Sequence, residues 1–358
     1  MRGSRTFFCG MILLVLLGMP AFAAERGEPN ITPEMTMQEI RANPSVAGSG
    51  IFTYNDRDAT DPFKRRISEN ETLWEYAGES KAEDCAEGLN LAIENYNAGR
   101  QVTYQVYDPE EIAADASLGA VQLYYFPAEK PNARYAIVLG GNALEWSGTF
   151  SEGIASVPQL HKEGYAVFVL RYSIWLDLSD NAPLQDLGNA VRYITDHAQE
   201  FDVQPEKYAI VGYSSGGHLA GLFGSEKTYG YNAWHVPKPG ALILAYAIND
   251  FSEIKPVYHV IMDPGVWDWR YYWSSIAEGV TENYPPVYFW YGENDRVLPL
   301  MNPCAQGPTL KKALDTYGVP YEMHVYRNAG HAIGTGQHTD ADGWLKEAAA
   351  FWARQTAE

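Results

Sequence analysis

The sequence predicts an α/β fold, a mostly parallel central sheet with helices on both faces. Three observations carry this. Short runs that read as strands recur at Tyr135–Leu139, Tyr165–Leu170, Tyr208–Val211, Ala241–Tyr246, Val287–Tyr291 and Tyr321–Tyr326, most of them nearly continuous in apolar residues, as expected of strands buried on both sides. Stretches of helical spacing alternate with them, at Pro183–His197, Gly216–Phe223, Thr309–Tyr317 and Gly343–Arg354. The chain has 358 residues, 46% of them hydrophobic, and its 32 Gly and 21 Pro are spread along its length. That composition excludes a disordered, collagenous or coiled-coil protein and supports a sizeable core.

The N-terminus is expected to be a secretory signal peptide over residues 1–23. Arg2 and Arg5 form a basic start, Phe7–Met19 an apolar run, and Ala21-Phe22-Ala23 a small-x-small cleavage pattern. The apolar run is 13 residues long, short of the roughly 20 that span a bilayer. No integral membrane segment is expected after cleavage, and the mature protein should be secreted or periplasmic. Cys85 and Cys304 then remain, and export permits a bridge between them. Two buried thiols are an equal reading.

Residues 24–70 are polar and broken, with one short helix near Thr36–Ala42. Asp84–Tyr96 carries Cys85, Leu89, Ala92 and Tyr96 at helical spacing and stops at Gly99. Residues 24–100 are thus read as an extension packed on a core domain at 101–358. Within that domain, Val102–Tyr107 and Val121–Phe126 should form an antiparallel start to the sheet. Residues 251–284 break the rhythm and are rich in Tyr and Trp, which suggests a lid over the carboxyl ends of the strands.

Charge narrows the function. Lys and Arg number 26 against 45 Asp and Glu, a net charge of −19. Such a surface repels phosphate backbones and anionic lipid, so neither nucleic acid nor a membrane surface is an expected partner. No cluster shows metal-ligand spacing, and no cofactor is implied.

The chemistry is carried by Gly212-Tyr213-Ser214-Ser215-Gly216, which lies between a strand and a helix. This Gly-x-Ser-x-Gly context lifts a serine hydroxyl above the sheet on a tight turn, so Ser214 is the expected nucleophile. A serine needs a base and an orienting acid. Asp295 follows the strand Val287–Tyr291, and His331 follows Tyr321–Tyr326. Glu293 and Asp250 are spare acids. His218, His324, His161, His197 and His235 read as structural or surface residues, with His259 and His338 as weaker ligand contacts. The oxyanion hole is expected from the backbone N–H of Ser215 and from Gly141 and Asn142 in the Gly140-Gly141-Asn142 turn. Trp146, Trp175, Trp267 and Trp269 are candidate walls for a substrate.

Together, Gly-Tyr-Ser214-Ser-Gly-Gly-His-Leu-Ala, the strand-Gly140-Gly141 turn, Tyr-Gly-Glu-Asn-Asp295-Arg-Val and Ala-Gly-His331 resemble the α/β-hydrolase superfamily. The resemblance covers about residues 100–356 and is strongest to secreted bacterial esterases and lipases, such as acetyl, acetylxylan and feruloyl esterases. It implies the α/β-hydrolase fold with a lid insertion, a Ser214–His331–Asp295 triad and a serine carboxylic-ester hydrolase. Small-molecule or carbohydrate-linked acyl esters are the implied substrates. Leu139 stands where many relatives have His, and Asn142 where many have a third Gly. A serine peptidase of the same fold and a non-catalytic binding protein are the alternatives, and the sequence leaves the oligomeric state open.

Overall fold

The computed structural model describes residues 25–52, 68–141, 148–173, 182–227, 229–250, 275–298 and 306–357. Eight strands form one sheet: β1 (Thr103–Gln105), β2 (Gln122–Phe126), β3 (Tyr135–Leu139), β4 (Ala166–Arg171), β5 (Ala209–Tyr213), β6 (Ala241–Ala245), β7 (Val287–Gly292) and β8 (Tyr321–Tyr326). Their spatial order is β1-β2-β4-β3-β5-β6-β7-β8. The pairs β1–β2 and β2–β4 are antiparallel, and every pair from β4 through β3 to β8 is parallel. The antiparallel start therefore holds, although β1 is shorter than the 102–107 run suggests.

The helices are α1 (Met37–Ala42), α2 (Pro44–Ser49), α3 (Leu73–Ala77), α4 (Ala82–Asn97), α5 (Pro109–Ala114), α6 (Ala155–Lys162), α7 (Ala182–Asp196), α8 (Ser214–Phe223), α9 (Ile276–Gly279), α10 (Gln306–Tyr317) and α11 (Trp344–Gln355). A π-helical turn, Thr149–Ile154, runs directly into α6. Alternate residues of each central strand feed two separate cores. Ala136 and Val138 of β3 join a cluster with α4, α6 and α11, whereas Tyr135, Ile137 and Leu139 join one with α7, α8 and α10. This division explains the nearly continuous apolar strands: both faces of the sheet are covered. Trp344 and Trp352 of α11 and Leu89 and Ile93 of α4 are fully buried, and each such large apolar side chain contributes about 1.5–3 kcal/mol relative to exposure.

The described residues of 25–100 share the first of these cores, with Met37, Ile40, Val46, Leu73, Cys85 and Leu89 inside it. Their short helices are held by caps. Thr36 with Glu39 and Thr72 with Glu75 form capping boxes, each such cap being worth about 1 kcal/mol. The leader holds one helix more than its broken composition suggests. Asn43 ends α1 and caps α2 by accepting from the N–H groups of Ser45 and Val46, with Pro44 at the first helical position. Asn-Pro reads as a break in sequence, yet Pro suits the first turn, where its missing N–H is not needed.

No helix among the described residues is long and apolar enough to cross a membrane. The expected signal peptide, Cys304 and the first part of the expected lid, 251–274, lie outside the described residues. Cys85 is buried, and its thiol donates to the Phe150 carbonyl at 3.3 Å.

Candidate active site

The register of the parallel strands places their carboxyl ends side by side. Leu139 pairs with Gly212, Tyr213 with Ala245, Ala245 with Trp290, and Gly292 with Tyr326. The turns after β3, β5, β7 and β8 therefore converge at the edge where open α/β sheets bind ligands.

Ser214 follows β5 directly and opens α8. Its φ of 49° lies in the left-handed region, a conformation that costs a non-glycine residue about 1–2 kcal/mol and persists only where the surroundings enforce it. The flanking glycines allow this turn. A Cβ on Gly212 would lie 2.4 Å from the Gly216 carbonyl oxygen, and one on Gly216 would lie 2.4 Å from that of Leu139.

The Ser214 hydroxyl and His331 Nε2 are 2.8 Å apart. His331 Nδ1 lies 2.8 Å from Asp295 Oδ2. The other carboxylate oxygen of Asp295 accepts from the backbone N–H of Val297 at 2.8 Å and of Leu298 at 2.9 Å. Those two donors fix the orientation of the carboxylate. The Asp295 side chain is 2% exposed and that of His331 12%, so the acid is shielded while the imidazole edge reaches the surface. Of the spare acids, Glu293 is exposed at the strand end, and Asp250 is buried with its carboxylate accepting from the Ser275 hydroxyl at 2.8 Å.

A fourth buried group was not read from sequence. Glu152, in the π-helical turn, accepts from the Gly141 N–H at 2.6 Å through one oxygen and from the Tyr246 hydroxyl at 2.5 Å through the other. Tyr246, at the end of β6, in turn accepts from the Gly334 N–H at 2.9 Å, and its ring lies 5.0 Å from the His331 ring between centroids. Burial foremost, and then the Glu152 charge, push the Tyr246 phenol well above its ordinary pKa, so it stays protonated and donates. Glu152 and Tyr246 thus tie the turn after β3 to the loop that carries His331.

This changes the reading of Gly141. Its N–H is expected to face a substrate oxygen, but here it is directed to the Glu152 carboxylate. The carboxylate holds Gly141 within close range of the serine: a Cβ on Gly141 would lie 2.8 Å from Ser214 Cβ. Ser215 sits in the first turn of α8 and is buried. Asn142, Trp146, Trp175, Trp267, Trp269 and His259 lie outside the described residues.

Five further histidines have protein neighbours away from Ser214 Oγ. His218 is fully buried in α8 behind the serine, and His324 stacks on Tyr288 with centroids 4.9 Å apart. His197 stacks on Tyr193, His161 bonds the Pro127 carbonyl, and His338 lies 3.9 Å from Glu83.

Residues 122–255 match the BD-FAE family model, and residues 274–357 match that of the dienelactone hydrolase family. The chain is similar to an acetylxylan esterase of Xylanibacter ruminicola, 23% identical over 64% of this chain and 48% of the relative. It is also similar to endo-1,4-beta-xylanase B of Butyrivibrio fibrisolvens, 24% identical over 54% of this chain and 31% of the relative. The chain therefore spans less than half the length of these curated relatives. Among solved structures, an acetyl ester-xyloside bifunctional hydrolase from Caldicellulosiruptor lactoaceticus superposes with a TM-score of 0.57 at 20% identity, covering 70% of this chain and 95% of the other. A truncated carbohydrate esterase from gut microbiota gives a TM-score of 0.56 at 19% identity, over 72% and 96%. These structural likenesses establish the α/β-hydrolase fold.

Proposed function

We propose that the protein is a serine carboxylic-ester hydrolase that works through an acyl-enzyme on Ser214. The observation that carries this reading is the unbroken line from the Ser214 hydroxyl through His331 to a buried Asp295 held by two backbone N–H groups. His331 Nε2 takes the serine proton as the oxygen attacks an ester carbonyl, then passes it to the departing alkoxide. Asp295 fixes the tautomer that leaves Nε2 free to accept, and it stabilises the imidazolium that follows. Water repeats the cycle on the acyl-enzyme and releases the acid. The Ser215 N–H, at the positive end of α8, is the first oxyanion donor. With Gly141 engaged by Glu152, the second donor falls to Asn142 in the same turn.

The substrate class we assign is short-chain or carbohydrate-linked acyl esters. It rests on the acetylxylan esterase and xylanase relatives and on the sequence reading of Trp146, Trp175, Trp267 and Trp269 as flat walls. From the basic start and apolar run of residues 1–23 we read the protein as secreted or periplasmic, and the N-terminal sequence of the exported protein tests that reading.

Activity is tested with chromogenic acetyl and butyryl esters and acetylated xylan, beside Ser214→Ala, with a fluorophosphonate probe for the serine. Turnover and labelling lost together in Ser214→Ala are the expected result. Labelling of the wild type without ester turnover overturns the ester reading in favour of a peptidase, and no labelling at all overturns catalysis.

A further inference from the structure

The loop that carries His331 is held from the far end of the chain. Lys81 lies at the entry to α4, in the extension that precedes the sheet, and is only 8% exposed. Its ammonium donates to the Ala332 carbonyl at 2.6 Å, one residue beyond His331. Its aliphatic stem lies against Gly334, where an added Cβ would come 2.3 Å from Lys81 Cδ. Ala332 has a φ of 61° and Gly334 of 58°, so the loop turns twice through the left-handed region directly under this side chain. A non-glycine residue holds such a conformation only where its surroundings impose it.

Neighbouring contacts run the same way. The Ser80 carbonyl accepts from the Gln337 N–H at 3.1 Å and from the Thr335 hydroxyl at 3.2 Å. Asp84, in the first turn of α4, is buried and accepts from the Gln159 amide at 2.8 Å. A lysine in a buried position needs acceptors for its ammonium, and the Ala332 carbonyl ties that need to the geometry of the histidine loop.

We infer that Lys81 is a positioning residue for His331, and that the extension is a working part of the active site although it lies outside both matched family regions. The inference rests on the triad reading given above. Lys81 touches no reacting atom. It fixes the backbone at Ala332 and Gly334 and thereby the distance from His331 to Ser214.

The test measures kcat and KM on a chromogenic acetyl ester and the second-order rate of Ser214 labelling by a fluorophosphonate. The proteins are wild type, Ser214→Ala, Lys81→Met, Lys81→Arg and, as a control, Lys162→Met, whose ammonium forms an exposed ion pair with Glu87. Misplacing a catalytic group by about 1 Å costs on the order of 100-fold, so Lys81→Met should lose roughly 10- to 100-fold in kcat and in labelling rate, with KM changed less than about twofold. Lys81→Arg should recover most of both, and Lys162→Met should match wild type. A Lys81→Met protein that folds and is labelled at the wild-type rate overturns the inference. Should that variant fail to fold, Thr335→Val decides: slower labelling supports the strut, and a wild-type rate overturns it. Wild type that is not labelled at all refutes the triad reading itself, a separate result.

Discussion

Removing one oxygen atom tests whether the two halves of the site are joined as described. In Tyr246→Phe the fully buried hydroxyl disappears, and with it the donor to Glu152 Oε1 and the acceptor for the Gly334 N–H. A buried polar group deprived of its partner costs about 1–3 kcal/mol, more for a charged one, so the two losses sum to roughly 2–6 kcal/mol. At about 2.1 cal/mol/K of unfolding entropy per residue, 1 kcal/mol moves the Tm of a 358-residue chain by roughly 1.3 °C, which places the expected fall at roughly 3–8 °C. Thermal unfolding followed by circular dichroism gives the number. A double-mutant cycle with Glu152→Gln isolates the contact. A carboxylate accepts from both Gly141 and Tyr246, whereas an amide has one acceptor and would turn its NH2 toward a donor. The two substitutions should therefore couple by about 1–3 kcal/mol. If Tyr246→Phe melts within about 1 °C of wild type, or the cycle is additive within about 0.3 kcal/mol, the link between the turn after β3 and the histidine loop carries no energy.

Three further outcomes follow from the same geometry. Asp295→Asn keeps its shape but can no longer enforce the tautomer with Nε2 unprotonated, so kcat should fall about 10⁴-fold with little change in fold, read by steady-state kinetics and circular dichroism. Gly141→Ala drives a Cβ to 2.8 Å from Ser214 Cβ and 2.9 Å from the Tyr213 carbonyl oxygen, and both Tm and labelling rate should drop; wild-type values for both would refute the close approach. Burial, outweighing bonds to Thr335 and Gln159, raises the Asp84 carboxyl above its ordinary value. Its contribution to stability is therefore complete below about pH 4, the unfolded value, and is lost as pH rises through the raised folded value, so Asp84→Asn should gain Tm relative to wild type as pH rises above about 4. A difference independent of pH would contradict this.

The sheet was legible because its physics is local. Runs such as Tyr135–Leu139 and Ala241–Tyr246 announce strands covered on both faces, and Ser214, Asp295 and His331 each follow such a run at a turn. The π-helical turn and α6 at 149–162 were not legible, since Gly153 and Pro158 interrupt the helical spacing. Glu152 was hidden for a different reason. One carboxylate among 45 acidic residues carries no pattern, and its only mark is a charge inside the otherwise small and apolar stretch Phe150–Ala155. Lys81 was hidden more deeply, because its partner lies 251 positions away and such a pairing leaves no trace in spacing. The Gly140-Gly141 turn was seen, but the direction of the Gly141 N–H was not, because that depends on Glu152.

The order of the strands has a practical consequence. Ser214 leaves β5, which lies inside the sheet with neighbours on both sides, whereas His331 leaves β8, which among the described residues lies at the margin and pairs with β7 alone. The two proposed partners in proton transfer thus sit on elements of unequal security. On heating, the margin should loosen while the interior still holds, so the protein would fall silent while most of its circular dichroism signal is intact. A preparation judged sound by its spectrum could already be dead as a catalyst. Storage and assay conditions are therefore better chosen by following Ser214 labelling than by following the melt.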